Sequence, residues 1–441
     1  MEEKEFYLII RPVVGSETAP KFAVSVSEEV PTYEGGWSAQ AFTEEEAKAD
    51  AAFSHLFSLD YQDPRLNRLT SNPSLLSIHD FAFNLRRLLV PGRANARQYR
   101  ELGEYLYNLV LADKSLSSQK LAEALSKVRS QSNTVLIVRL VLGGSFISTI
   151  PWENIDYPPE NKFLALVPEV RMIRWLPSHV TWRRQKVVLP LKVLLVDCRK
   201  EEESGSFDPA TLTPSLNFGG ILEAEVLRYD GQALVKALSE KVFHVVHFFA
   251  QVEASADVPY LTLYEYAKIP IAFGMQSLTS LLYGSSVRLL TLTPLSHGAP
   301  WNVNFFGARL QEAGVPAVLT TQVEPSSEGF ADFVQTMYSS LAKGLPVDEA
   351  LNLGQQKLAS RPADPVGAFA LFMNSRDNQL FELVNRKEKE EEAWRDSVLN
   401  AVQQIVNVAG SKTIGLEVED LLKSPEFENF LTETKAKSEG A

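Results

Sequence analysis

The chain of 441 residues contains one cysteine, Cys198, and six histidines: His55, His79, His179, His244, His247 and His297. A nucleophile, a general base or a metal site would be drawn from these side chains. Cys198 directly follows the apolar run Leu194–Asp197 and is the one thiol able to attack a carbonyl, but no histidine is spaced to activate it. His244 and His247 lie three apart in a strand-like run, so they point to opposite faces and read as core residues rather than metal ligands. Ser296-His297-Gly298 sets a hydroxyl beside an imidazole. Adjacent residues seldom reach the hydrogen-bonded geometry of a nucleophile and its base, and no acid is evident to orient the ring. There is no phosphate loop ending in Gly-Lys-Ser/Thr, no dinucleotide-binding glycine fingerprint, no His-Glu-x-x-His and no acidic calcium loop. A single cysteine excludes an intrachain disulfide and any zinc site built on paired cysteines. We therefore expect no cofactor and no metal.

The elements that must position these residues fall into four stretches. Residues 1–94 open with two strand-like runs, Phe6–Ile10 and Phe22–Val26, forming a hairpin-like unit. Thr43-Glu44-Glu45-Glu46 then has the composition of a helix N-terminus. Residues 95–190 begin with two helical patterns, Leu102/Leu106/Leu109/Val110 and Leu121/Leu125/Val128, followed by a buried strand over Val135–Leu142. Residues 191–384 alternate short apolar strands (Leu191–Asp197, Val242–Phe249, Val287–Leu292, Ala317–Thr321) with helices. Helices are expected at Ile221–Leu227, Gly231–Leu238, Asn304–Ala313, Gly329–Lys343 and Asp348–Leu358. That alternation implies an α/β fold with a mostly parallel sheet covered by helices on both faces. Residues 385–441 form a tail expected to be helical. A charge run (Arg386–Glu392) precedes an apolar stripe of Trp394, Val398, Val402, Ile405 and Ala409. A stripe over 394–409 must bury itself on its own domain or on a second chain, so it is a candidate oligomerisation helix.

Net charge is −12, from 43 basic against 55 acidic residues, which argues against nucleic acid and against an anionic membrane surface as partners. No apolar run approaches the roughly 18–20 residues of a membrane helix. The acidic start, Met1–Glu5, does not read as a signal or transit peptide, so the expected location is cytoplasmic.

A family resemblance follows from an ordered set of short matches. Arg100–Tyr107, Leu136–Leu142, Pro151-Trp152-Glu153, Phe163–Leu166 and Arg171/Arg174 resemble the first half of a CHAT domain, a caspase-like cysteine-peptidase family. Val246-His247-Phe248, Ala313–Val318, Phe333, Tyr338, Leu341-Ala342, Gly344, Pro346-Val347 and Ala350-Leu351 resemble its second half, so the likeness runs collinearly over about residues 95–383. It implies a caspase-like sheet, with a β-containing, partly helical N-terminal region before it and the helical tail after it. It also implies a structural role for Pro151-Trp152-Glu153, with a buried indole whose N–H is satisfied.

Active members of the family carry a histidine four residues after the Val-His-Phe histidine, and a cysteine after the next core strand. Here those positions hold Gln251 and Leu295. An amide cannot accept and return a proton near neutral pH, and a hydrocarbon has no nucleophilic atom. The resemblance thus implies a catalytically inactive pseudo-caspase: a protein-binding or scaffold subunit of a bacterial defence or signalling assembly. Its partner would be a protein such as an active protease or a sensor ATPase. Two alternatives stand beside it. One is an active cysteine endopeptidase with Cys198 as a displaced nucleophile and Glu253 or Asp257 lining a pocket for a basic side chain. The other is a structural oligomer former assembled through the C-terminal helix.

Overall fold

A computed structural model describes residues 2–12, 22–28, 96–142, 145–175, 183–200, 208–217, 219–255, 258–265, 268–295, 300–323, 325–361, 364–373 and 378–384. The chain divides into two units. One comprises residues 1–185 and 190–382, and the other residues 186–189 and 383–441. In the second unit the Val384 N–H donates to the Val187 carbonyl at 3.0 Å. The expected helix at Thr43–Glu46 and the helical tail lie outside the described residues.

The first unit is organised by one sheet of twelve strands. In chain order these are β1 (Glu2–Pro12), β2 (Phe22–Ser27), β3 (Thr134–Leu142), β4 (Val170–Trp175), β5 (Leu191–Asp197), β6 (Leu222–Arg228), β7 (Val245–Ser255), β8 (Val258–Glu265), β9 (Ile269–Gly274), β10 (Leu289–Pro294), β11 (Ala317–Thr321) and β12 (Phe369–Met373). Their spatial order is β9-β8-β7-β10-β11-β12-β4-β3-β1-β2. β5 pairs with the first half of β7, and β6 lies outside β5. Pairing is parallel except at β1–β2, β7–β8, β8–β9 and β11–β12. The two strands expected near the N-terminus do form an antiparallel pair. β1 also joins the main sheet, parallel to β3, with Tyr7 opposite Arg139.

Helices cover both faces. Those used below are α1 (Ala96–Val110), α2 (Leu116–Arg129), α3 (Ser145–Thr149), α4 (Pro209–Leu216), α5 (Gly231–Glu240), α6 (Met275–Leu282), α7 (Pro300–Glu312), α8 (Ser327–Ala342) and α9 (Val347–Ala359). Even-numbered residues of the central strands (Leu194, Val196, Val246, Phe248, Leu290, Leu292) pack with Leu234 of α5, Leu278 of α6 and Phe306 of α7. Odd-numbered His247 and Phe249 meet Phe330 and Tyr338 of α8 on the opposite face. Because strand side chains alternate, one run such as Val245–Ala250 must be apolar on both sides to be sandwiched in this way.

One expected helix is a strand. The spacing of Ile221–Leu227 suggests a helix, but Leu222–Arg228 pairs with β5 along its whole length. The period is two, with Leu222 and Ala224 buried and Glu223 and Glu225 turned partly to solvent.

Two glycines show why the halves approach so closely. A Cβ on Gly103 of α1 would lie 2.4 Å from the Asn154 carbonyl oxygen, and one on Gly367 would lie 2.3 Å from the Asn154 amide nitrogen. Asn154 is fully buried, its amide bonded to the Gly367 backbone in both directions.

Candidate functional site

The carboxyl ends of β5 and β10 flank the middle of β7 at one level of the sheet, on the side where open α/β sheets place ligands. β7 runs in register with both neighbours: Phe249 lies opposite Asp197 of β5 and opposite Thr293 of β10. Ala250 is paired with Pro294, and the Leu295 N–H donates to the Ala250 carbonyl at 3.2 Å. Gln251 and Leu295 are therefore one residue further along two adjacent parallel strands. Both are buried, at 8% and 6% exposure. By alternation they belong to the face of His247 and Thr293.

Beneath them is a closed network of neutral polar groups. His247 Nε2 is 2.8 Å from Thr293 Oγ1, which is 2.9 Å from Thr321 Oγ1. His247 Nδ1 is 3.0 Å from the Tyr338 hydroxyl, which donates to Thr291 Oγ1 at 2.9 Å. Since the Tyr338 proton is committed to Thr291, the consistent tautomer carries its hydrogen on Nδ1 and accepts at Nε2. The ring is fully buried and stacked on Phe249 at 4.3 Å between centroids. Burial pushes its pKa down to about 3, so it stays neutral at physiological pH. His247 is thus a core residue, as its strand position suggests, and both ring nitrogens are occupied.

Cys198 lies at the same level of the sheet but on its other face. Its N–H donates to the Phe249 carbonyl at 3.0 Å, and its side chain joins Leu194, Val196 and Phe248 in the core. It is wholly buried, and its thiol donates to the Val196 carbonyl at 3.7 Å. Burial first, and the Asp197 charge second, push the thiol pKa well up, so the thiolate is suppressed.

An ion cluster at this edge was not expected from sequence. Asp197, at the last position of β5, accepts from Arg199 Nε at 2.9 Å and Nη2 at 3.0 Å and also binds Arg228. Arg199 reaches on to Asp208, the N-cap of α4, at 2.9 Å. Burial alone would raise the Asp197 carboxyl. Hydrogen bonds from Arg199 and the charges of Arg199 and Arg228 outweigh it and hold the group below its ordinary value. The available signal was positional: an aspartate ending a buried strand, with an arginine two residues later. Glu253, by contrast, accepts from the Tyr260 hydroxyl at 2.8 Å across the β7–β8 pair. Asp257 and Ser296-His297-Gly298 lie outside the described residues. Among the described residues no group of three or more His, Cys, Asp or Glu could hold a metal, and no helix is long and apolar enough to cross a membrane.

Pro151-Trp152-Glu153 has the structural character expected of it. The Trp152 indole is fully buried and donates to the Ile147 carbonyl at 2.9 Å. Glu153 forms a double hydrogen-bonded pair with buried Arg174, at 2.7 and 2.6 Å. Gln322, just after β11, donates to Glu153 at 2.7 Å and accepts from Arg174 at 2.9 Å. Asn304 of α7 donates to Gln322 at 2.6 Å and accepts from Thr320 at 2.6 Å. The polar chain runs from the Trp152–Asn154 turn through β4 to β11 and α7.

No curated protein matches the chain. Among solved structures, the Arg-specific cysteine proteinase gingipain R is 12% identical, over 62% of this chain and 70% of its own, with a TM-score of 0.35. A complex of Porphyromonas gingivalis RgpB pro- and mature domains is 11% identical over 66% and 78%, with a TM-score of 0.35. The Saccharomyces cerevisiae separase–securin complex is 10% identical over 76% of this chain but 22% of that one, with a TM-score of 0.31. A family model, that of the CHAT domain, matches residues 218–395, which hold β7, β10, β11, α8 and α9 with Gln251 and Leu295. Over that span the chain is similar to the CHAT domain.

Proposed function

We propose that this chain is a non-catalytic CHAT protein whose sheet edge at β5, β7 and β10 binds a polypeptide instead of cutting it. One observation carries the reading. The two positions that the family resemblance assigns to base and nucleophile are adjacent, one within β7 and one just after β10, and they hold Gln251 and Leu295. An amide and an isobutyl group can contact a peptide but can neither move a proton nor form an acyl bond. The buried thiol of Cys198, on the opposite face, supports the same reading. In this proposal the protein is a scaffold or regulatory subunit of a cytoplasmic defence or signalling assembly, partnered by another protein.

The test restores the chemistry. Wild type is expected to resist a thiol-reactive peptidyl probe, while Gln251→His/Leu295→Cys gains labelling at position 295. Cleavage of a polypeptide by the wild type, or labelling of it that Cys198→Ala abolishes, would overturn the proposal in favour of an active endopeptidase.

A further inference from the structure

A second polar cluster lies far from this edge, where the first turn of α9 meets β4 and the neighbouring strands. Odd-numbered residues of three parallel strands face it: Glu3 and Glu5 of β1, Arg139 of β3 and Arg171 of β4. Asp348 comes from the first turn of α9, and Asn378 accepts the Val347 N–H with its carbonyl at 3.0 Å. Arg139 is fully buried, bound to Glu5 at 2.9 Å and within 3.4 Å of the Asn378 side-chain oxygen. Arg171 is 8% exposed, Asp348 3% and Asn378 1%. Of these charged groups Glu3 is exposed and Glu5 half-buried, whereas Arg139, Arg171 and Asp348 are buried. Among the described residues, buried Asp348 Oδ1 and Asn378 Nδ2 find no hydrogen-bond partner.

A carboxylate at a helix N-terminus is ordinarily favoured by the backbone N–H groups and the helix dipole. Here the backbone N–H groups of Asp348 and Glu349 do support the ion, as does Arg171, while Glu3 opposes it. Glu169 and Glu349 act on Arg171, whose own pKa is lowered chiefly by burial. The net result is a proton held in the folded protein. Burial first and Glu3 second push the Asp348 carboxyl up to about 7.

We propose that Asp348 is a proton-operated latch: protonated, it lets the first turn of α9 seat on β4, and ionised, it loosens that seat. The sign follows from linkage. A carboxyl raised above its unfolded value of about 4 contributes stability that is full below that value and is lost as pH climbs toward about 7. α9 is the element on which this acts, and it leads towards the β12 strand and the following segment that holds Asn378.

The test compares full-length wild type with Asp348→Asn, which mimics the protonated state, by urea unfolding at pH 5 and pH 8. The ratio of their unfolding constants is expected to change on the order of tenfold or more between the two, with the variant gaining relative stability at pH 8. A ratio independent of pH overturns the latch. If Asp348→Asn does not fold, amide exchange in the wild type carries the test. Amides of residues 348–351 are expected to lose protection between pH 6 and 8 beyond the change seen in β10, and this loss moves to lower pH in Glu3→Gln. Parallel behaviour of the two regions, or an unmoved profile in Glu3→Gln, overturns it equally.

Discussion

At the residue scale, the chemistry of the sheet edge depends on what a buried side chain is bonded to. His247 is the only histidine of the Val-His-Phe strand motif, yet Thr293 and Tyr338 occupy both of its nitrogens and burial keeps it neutral. Its folded pKa is depressed below the unfolded value of about 6.5, so its contribution to stability is present above that pH. It is lost as pH falls toward about 3. We expect the unfolding free energy of the wild type to fall with a slope approaching about 1.4 kcal/mol per pH unit from this group alone between pH 6 and 4. His247→Gln should remove that component, as read by denaturant titration at each pH. An unchanged slope in the variant would show that the ring is not held neutral. The sequence made the core role of His247 legible through its strand position. It could not reveal Asp197, Arg199 and Arg228 as one cluster, because Asp197 and Arg228 lie thirty-one residues apart and meet only through the β5–β6 pairing.

At the element scale, the misread segment is the instructive one. Ile221–Leu227 offers Ile221, Leu222, Ala224, Val226 and Leu227, a pattern compatible with a helical stripe as well as with alternation. The sheet decides, because β5 has a free edge and β6 completes it. β6 then becomes an edge itself. Asn217, after α4, covers part of it by donating to the Ala224 carbonyl at 3.2 Å and accepting the Ala224 N–H at 2.5 Å. An amide side chain that mimics the next strand keeps the edge from pairing with another chain. Asn217→Ala should therefore cost about 1–2 kcal/mol and increase self-association, both measurable by chemical denaturation and light scattering. A variant that stays at the wild-type mass and stability would remove this role. The antiparallel strands β8, β9 and β12 escaped the sequence reading because each takes its place from a neighbour rather than from its own periodicity.

At the scale of the whole sheet-bearing unit, a buried polar chain ties segments distant in sequence. Glu153, Arg174, Gln322, Asn304 and Thr320 hold β4, α7 and β11 to the turn that carries Trp152. Arg174 and Glu153 are 0% and 2% exposed at the side chain, so neither can recover hydration if the other is removed. Glu153→Ala is expected to cost about 3–5 kcal/mol, the usual result of stranding a buried charge. A loss below about 1 kcal/mol in urea unfolding would show that water reaches Arg174.

Read alone, the chain established the α/β class and most central strands and helices, and the family resemblance singled out Gln251 and Leu295. Those features are local. Apolar strands sandwiched on both faces and short ordered motifs are written in consecutive residues. Only the tertiary structure decided that β1 joins the main sheet, that 222–228 is a strand, that Cys198 faces away from Gln251, and that Asp348 is buried near Arg171. Each of those depends on pairing register and on which face of the sheet a side chain occupies. Both are set by neighbours tens to hundreds of residues away, where sequence spacing carries no information.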